Sequence, residues 1–339
     1  MAALAIGARG PDTPTVLHKA AAPPCEAAQR GSAAVDWFGP DDARQRARLS
    51  ASCESVGPPV VSTPEQAEAP VDVAERGLAV VTWNVHGGGG DLQRFLDWLR
   101  DHTAARGVDA PAVIVLLQEA FRGGDDVPAD APSDVKSPGT IRAKRAANSD
   151  IALFAAQTGM WLAYVPSMRN GVRAREDRGC AILSTLPLSE VAGIELPWVN
   201  QRRVAVMATI TARLDAAPWR LRAISVHLDN RPGRSRQAAA LAGLAAIYRF
   251  DASPILIGGD LNTWFGPREE AVRDLDAVIP RVRECGNGPT AALRLHLDYL
   301  FTTLGSDTRR GCEVVADTFG SDHHPTVLRL LVQRSDGVR

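Results

Sequence analysis

From Leu78 onward, short apolar runs of strand length alternate with longer stretches of helical period, and this alternation points to a mixed α and β fold. The runs are Leu78 to Trp83, Val113 to Leu117, Ala181 to Leu183, Val204 to Ala212, Leu221 to Val226, Ile255 to Ile257, Leu297 to Phe301 and Thr326 to Leu330. Helices are predicted over Leu92 to Arg100, Ile141 to Gln157, Arg234 to Tyr248 and Arg268 to Asp276. No internal repeat is visible, and the Asp- and Pro-rich stretch Gly123 to Gly139 reads as an exposed loop inserted into the main domain.

Residues 1–77 are different: rich in Ala, Pro, Ser and Glu with no sustained apolar period, they read as a tail or linker. Trp37, Phe38, Leu49 and Val60 are the side chains expected to dock part of it on the main body. The domain expectation is therefore a partly docked lead over 1–77, a catalytic domain over 78–333 and a tail over 334–339. Of the five cysteines, Cys25 with Cys53 and Cys285 with Cys312 form the favoured pairing, because each bridge stays within one region of the chain. Reduced, buried thiols are the alternative, with Cys180 as a small core residue in either case. The longest apolar stretch, Ala238 to Tyr248, is about half of what a bilayer requires and reads as a buried helix. Met1-Ala-Ala-Leu-Ala-Ile has no basic n-region, so no export signal is read there. Disulfides would nonetheless favour an extracytoplasmic location.

Several of the runs end in a residue able to bind metal or move a proton, and the ends of strands are where such folds place their sites. The first run ends at Asn84, the second runs into Gln118 and Glu119, and the fifth ends at His227. Ile255 to Ile257 leads into Asp260 and Asn262, Leu297 precedes Asp298, and Asp322-His323 comes just before the last run. Asn84, Glu119 and Asp322 offer hard oxygen ligands, which suit Mg²⁺ or Mn²⁺ better than zinc.

Seven motifs carry a resemblance. Thr82-Trp-Asn84, Leu117-Gln-Glu119, Arg178-Gly-Cys-Ala-Ile-Leu-Ser184, Val226-His-Leu228, Gly259-Asp-Leu-Asn262, Leu297-Asp-Tyr-Leu-Phe301 and Ser321-Asp-His323 stand in the order found in the endonuclease/exonuclease/phosphatase superfamily. The chain resembles that superfamily over roughly Leu78 to Leu331. The resemblance implies an α+β, DNase I-like fold: a four-layer αββα sandwich of two packed mixed β-sheets. It also implies a metal-dependent phosphoester hydrolase in which Asn84, Glu119 and Asp322 bind the metal. His323 held by Asp298, together with Asp260 and Asn262, would activate and orient the attacking water, and His227 would face the same phosphate. Relatives commonly carry Asn where this chain has Cys180. Glu176 or Asp177 is the candidate to orient His227.

Charge refines the substrate expectation. The whole chain carries 38 basic and 39 acidic residues, yet Arg169 to Arg236 holds 12 arginines, no lysine and six acids, a local surplus suited to a polyanion. Arg178 and Arg203 are the candidate phosphate contacts, and Trp264 the candidate group for stacking on a base or covering a lipid. The expected substrate is a phosphodiester, with DNA first and a phospholipid, as in sphingomyelinase-like relatives, or a phosphatase substrate as alternatives. The enzyme is expected to act as a monomer. A protein that kept the fold and lost catalysis would show missing ligands, and none is missing from the set.

Overall fold

A computed structural model describes residues 15–30, 35–65, 71–104, 111–130, 150–249, 251 and 253–332. In chain order the strands are β1 (Leu17–Lys19), β2 (Asp36–Pro40), β3 (Val60–Ser62), β4 (Leu78–Asn84), β5 (Ala112–Gly123), β6 (Trp161–Arg169) and β7 (Glu176–Ser184). They continue with β8 (Leu188–Glu195), β9 (Val204–Leu214), β10 (Ala217–His227), β11 (Ile255–Asp260), β12 (Asp298–Thr302), β13 (Arg309–Val314) and β14 (Thr326–Leu330). The α-helices are α1 (Glu26–Gln29), α2 (Ala43–Cys53), α3 (Val73–Arg76), α4 (Leu92–Ala104), α5 (Ile151–Thr158), α6 (Arg234–Tyr248) and α7 (Glu270–Val278).

The strands form two seven-stranded sheets, one in the order β1-β2-β8-β9-β10-β11-β12 and the other β13-β14-β4-β5-β7-β6-β3. Both are mixed, because β2 with β8, β10 with β11 and β4 with β5 run parallel while the remaining pairs are antiparallel. Alternation along each strand sorts the side chains into three apolar layers. Leu78, Val80, Ile114, Leu116, Leu221, Ala223, Leu256 and Leu300 fill the space between the sheets. Ile224, Val226, Ile255 and Ile257 pack outward against Leu241 and Leu244 of α6 and Leu275 of α7, whereas Val81, Trp83, Val115 and Leu117 pack outward against Phe95 of α4 and Phe154 of α5. This is the four-layer αββα sandwich that the resemblance implies.

The lead segment enters the sandwich more deeply than docked side chains would require. β2 pairs with β8 and carries β1 at one sheet edge, while β3 pairs with β6 at an edge of the other. Trp37, Phe38 and Leu49 are buried and Val60 is half-buried. The favoured bridges are both present, Cys25 with Cys53 and Cys285 with Cys312, and Cys180 is free and buried. Three strands of the main body leave little trace in the sequence pattern, for identifiable reasons. β6 contains Pro166 at a bulge against β7, β8 is interrupted by a bulge between Ser189 and Ala192, and β13 is a polar edge strand. The helix predicted over Ile141 to Gln157 starts at Ile151, where the Asp150 side chain accepts from the amides of Ala152 and Leu153 at 3.0 Å each. Residues 141–149 of that expectation, much of the loop predicted over Gly123 to Gly139, and the tail at 334–339 lie outside the described residues.

Candidate active site

The inward register of the strands builds the site. On β10 the inward positions run Leu221, Ala223, Ser225, His227, so the histidine takes the last place on the face that packs on the other sheet. His227 is in register with Asp260 on β11, and Asp260 with Asp298 on β12. Cross-strand partners share a face, so these three side chains form a polar row at one end of the aliphatic interlayer. From the opposite sheet, β4 continues Leu78, Val80, Thr82, Asn84 and β5 continues Ile114, Leu116, Gln118, with Asn84 and Gln118 in register. One more residue would point away, but β5 shifts register between Leu117 and Ala120 and Glu119 takes a φ of +53°. That bulge aims Glu119 inward, and its Oε1 lies 4.0 Å from His227 Nδ1.

Below the row, Gln118 Nε2 donates to Ser225 Oγ at 3.0 Å and Ser225 Oγ to the Leu117 carbonyl at 2.8 Å, which ties the two sheets together with buried polar groups. Gly258 faces this floor. A Cβ there would lie 2.7 Å from Leu116 Cδ1 and 3.0 Å from Thr82 Cβ, so the bare backbone lets β11 approach the other sheet closely.

The polar row is a connected network. Asn84 Nδ2 donates to Asp260 Oδ2 at 3.0 Å, while its Oδ1 accepts from the His86 amide at 3.0 Å. Asp260 Oδ2 is 3.3 Å from His227 Nε2 and 3.8 Å from His323 Nε2. Asn262 Nδ2 donates to the Leu228 carbonyl at 2.9 Å and lies 3.0 Å from His227 Nε2. Asp298 Oδ2 is 2.8 Å from His323 Nδ1 and accepts from Thr290 Oγ1 at 2.7 Å. The 321–323 turn is pinned by Trp83 Nε1 donating to the His323 carbonyl and Ser321 Oγ to the Asn84 carbonyl. Asp322 faces His86 Nδ1 at 3.1 Å and His323 Nε2 at 4.0 Å.

Environment separates the two histidines. Burial, with Arg203, His323 and Arg178 adding positive charge nearby, drives His227 well below the usual imidazole range and keeps it neutral. Burial also opposes charge on His323, but the carboxylates of Asp298, Asp260 and Asp322 outweigh it and push it up to about 10. Burial raises the Asp260 carboxyl to about 6, against the pull of His323. The charged form of the site is thus a carboxylate beside an imidazolium, with a neutral imidazole next to both.

A hard cation suits what is left over. Glu119 Oε2 and Asp298 Oδ1 are buried carboxylate oxygens with no hydrogen-bond partner among the described residues. Asp260, Asp298 and His323 also form a group able to hold a cation, their ligand atoms lying within 4.8 Å of one another.

Other expectations resolve differently. Asp177 is fully buried and occupied by Arg122, by Tyr164 Oη at 2.7 Å and by the Gly57 amide at 2.8 Å, and Glu176 accepts from Asn170 Nδ2 at 3.0 Å. Among the described residues, the carboxylates that face His227 are Glu119 and Asp260. Cys180 Sγ lies 3.3 Å from the Val204 carbonyl, and burial pushes its thiol up to about 12, so it is an inert core group. Of the arginines, Arg202 is committed to buried Glu195, Arg234 to Glu269 and Arg175 to Asp125. Arg178 and Arg203 are buried with no carboxylate in ion-pair range among the described residues, and Arg178 Nε has no partner. Trp264 is exposed on the loop that follows Asn262. Sequence reasoning missed Thr290 and the pairing of His86 with Asp322. Thr290 lies in a loop that matches no motif, whereas His86 follows Asn84 by two residues and is pinned there by its own amide.

The model of the endonuclease/exonuclease/phosphatase family matches residues 81–323, well over half of the 339-residue chain. The chain belongs to this family. Two solved structures show the same fold. One is an endonuclease/exonuclease/phosphatase from Beutenbergia cavernae DSM 12333, 19% identical with a TM-score of 0.50 over 76% of this chain and 72% of that one. The other is an endonuclease/exonuclease/phosphatase family protein from Leptotrichia buccalis C-1013-b, 15% identical with a TM-score of 0.50 over 75% of this chain and 99% of that one. Comparison with curated proteins gives no match. Family membership makes the chain a phosphoester hydrolase in general type, and the family generally uses a divalent metal. No helix among the described residues is long and apolar enough to cross a membrane.

Proposed function

We propose that this member of the endonuclease/exonuclease/phosphatase family is a Mg²⁺- or Mn²⁺-dependent phosphodiesterase whose substrate is a nucleic acid strand. The observation that carries the reading is the meeting of Glu119 from one sheet with His227, Asp260 and the Asp298–His323 pair from the other, around carboxylate oxygens left without partners. Asn84, Glu119 and Asp322 would hold the cation, which supplies charge neutralisation on the phosphate.

The chain's own groups divide the remaining work. Asp260, ionised near neutral pH, takes a proton from the attacking water, and Asn262 orients that water. His323, kept charged by Asp298, gives a proton to the departing oxygen as the bond from phosphorus to that oxygen breaks. The proton left on Asp260 returns to His323 across the 3.8 Å between them, which restores both groups. Neutral His227 gives a hydrogen bond to the phosphate, and buried Arg178 and Arg203 hold phosphate oxygens. A diester is favoured over a monoester because these two guanidiniums and the arginine-rich surround suit an extended polyanion.

Hydrolysis of bis(p-nitrophenyl) phosphate with Mg²⁺, with Mn²⁺ and with EDTA tests the reaction class. A panel of plasmid DNA, RNA, sphingomyelin and inositol phosphates tests the substrate. Activity that ignores chelation removes the metal assignment, and turnover of the lipid alone replaces the nucleic acid.

A further inference from the structure

The loop leaving Asp260 displays two aromatic rings to solvent. Trp264 is 54% exposed and Phe265 84% exposed, so neither is a packing residue. Both are held in place from beneath. Thr263 is buried, its Oγ1 donating to the His296 carbonyl at 3.1 Å and lying 2.8 Å from Tyr299 Oη. On the other side the Phe265 amide donates to Glu269 Oε1 at 2.7 Å, and the same carboxylate is clamped by Arg234 Nε at 3.0 Å. Rings carried into water by a loop whose backbone is anchored on both sides keep apolar surface exposed at a free-energy cost, which a contact with another molecule removes.

Position and charge say what that molecule is. Trp264 follows Asn262 by two residues, which puts it on the loop that leaves the catalytic row. Arg231 and Arg268 are exposed on the two connections, β10 to α6 and β11 to α7, and Arg236 is exposed in the first turn of α6, near where the Arg234–Glu269 pair joins the two. Open aromatic faces beside guanidiniums are what a single strand requires, since every base has a face to stack and every link a charge.

We propose that Trp264 and Phe265 form a stacking platform for unpaired nucleobases next to the scissile phosphate, so that the protein selects single strands over duplex. This rests on the phosphodiesterase reading above, and the test separates the two. Fluorescence anisotropy with a labelled short oligothymidine in EDTA, where no hydrolysis is expected, measures binding alone. Trp264→Leu and Phe265→Leu are expected to weaken binding by about tenfold each, while Trp264→Phe, which keeps a π face, stays within about twofold of wild type. Ile247→Ala, which removes an exposed apolar side chain on α6, serves as the unaffected control.

Leucine variants that bind as tightly as wild type overturn the platform, and so does a wild-type preference for duplex. Loss of binding to phosphatidylglycerol vesicles in place of the oligonucleotide overturns it in favour of a lipid surface. If bis(p-nitrophenyl) phosphate is not hydrolysed but aromatic-dependent oligonucleotide binding persists, the catalytic reading fails and the platform stands. If the diester is hydrolysed and the oligonucleotide does not bind, the platform fails alone.

Discussion

His323 Nδ1 lies 2.8 Å from Asp298 Oδ2, and both side chains are buried at the end of the interlayer between the sheets. The contact couples the charge of the site to the stability of the metal-free protein. An unfolded histidine titrates near 6.5, whereas His323 in the fold is pushed up to about 10, so folding favours its protonated form. Its contribution is fully present below about pH 6.5 and is lost as pH rises through about 10. In EDTA, Asp298→Asn is expected to lower the melting temperature at pH 7 by at least about 2 °C, and the gap to wild type narrows as pH climbs toward 10. Parallel curves for the two proteins across that range would sink the coupling.

Glu119 reaches the site only because β5 bulges, and its Oε2 has no partner among the described residues. Removing the carboxylate should therefore act on metal use rather than on folding. Glu119→Ala is expected to reduce kcat/KM for bis(p-nitrophenyl) phosphate by about a hundredfold or more and to raise the Mg²⁺ concentration needed for half-maximal rate. The melting temperature in EDTA should stay within roughly 2 °C of wild type, because no hydrogen bond to Oε2 is lost. A variant with wild-type metal dependence would move the cation to the Asp260, Asp298 and His323 cluster.

Gly259 separates the outward-facing layer from the catalytic row. A Cβ at that position would sit 2.0 Å from the Val226 carbonyl oxygen on the neighbouring strand, a backbone atom that cannot move without breaking the β10 to β11 pairing. Gly259→Ala is expected to destabilise the protein by about 3 kcal/mol or more, or to leave it insoluble, as measured by urea unfolding or by soluble yield. Gly258→Ala meets mainly the movable end of Leu116 and should cost less. Equal tolerance of both substitutions would contradict the tight fit of Gly259 against β10.

The site was more legible in the sequence than its supports were. His227, Asp260, Asp298 and Asn84 stand at strand ends, and strand periodicity together with fixed register places them on one face without further information. Glu119 was reached by motif alone, since simple alternation would have turned it away and only the bulge brings it in. The lead strands β1, β2 and β3 escaped because three to five residues in a Pro- and Ala-rich lead carry too little pattern to stand out, and the pairing of β2 and β3 depends on partners more than a hundred residues away. Asp177 shows the opposite failure. Sequence proximity to the site suggested a role beside His227, but a buried carboxylate takes the nearest buried cation, and that is Arg122.

The bridge between Cys25 and Cys53 joins β1 and α1 to the end of α2, and the chain just beyond it is tied to buried groups of β5, β6 and β7. The Ser55 carbonyl accepts from Arg169 Nη1 at 3.1 Å, the Pro58 carbonyl from Arg122 Nη1 at 2.6 Å, and the Gly57 amide donates to Asp177. None of these atoms belongs to the catalytic row, so the segment supports the scaffold and not the chemistry. Deleting residues 1–30 removes β1 and Cys25 while leaving every candidate catalytic group in place. The truncated protein is expected to retain metal-dependent turnover and to lose roughly 2–4 kcal/mol of stability, the amount typical of one lost bridge. Urea unfolding beside the bis(p-nitrophenyl) phosphate assay reads both, and complete loss of turnover in a folded truncation would assign the lead segment to the site itself. Thiol titration of denatured, unreduced full-length protein completes the test. One reactive thiol, Cys180, is expected with both bridges formed, whereas five would mean that the protein was made reduced and that the stabilisation ascribed to the bridges does not operate.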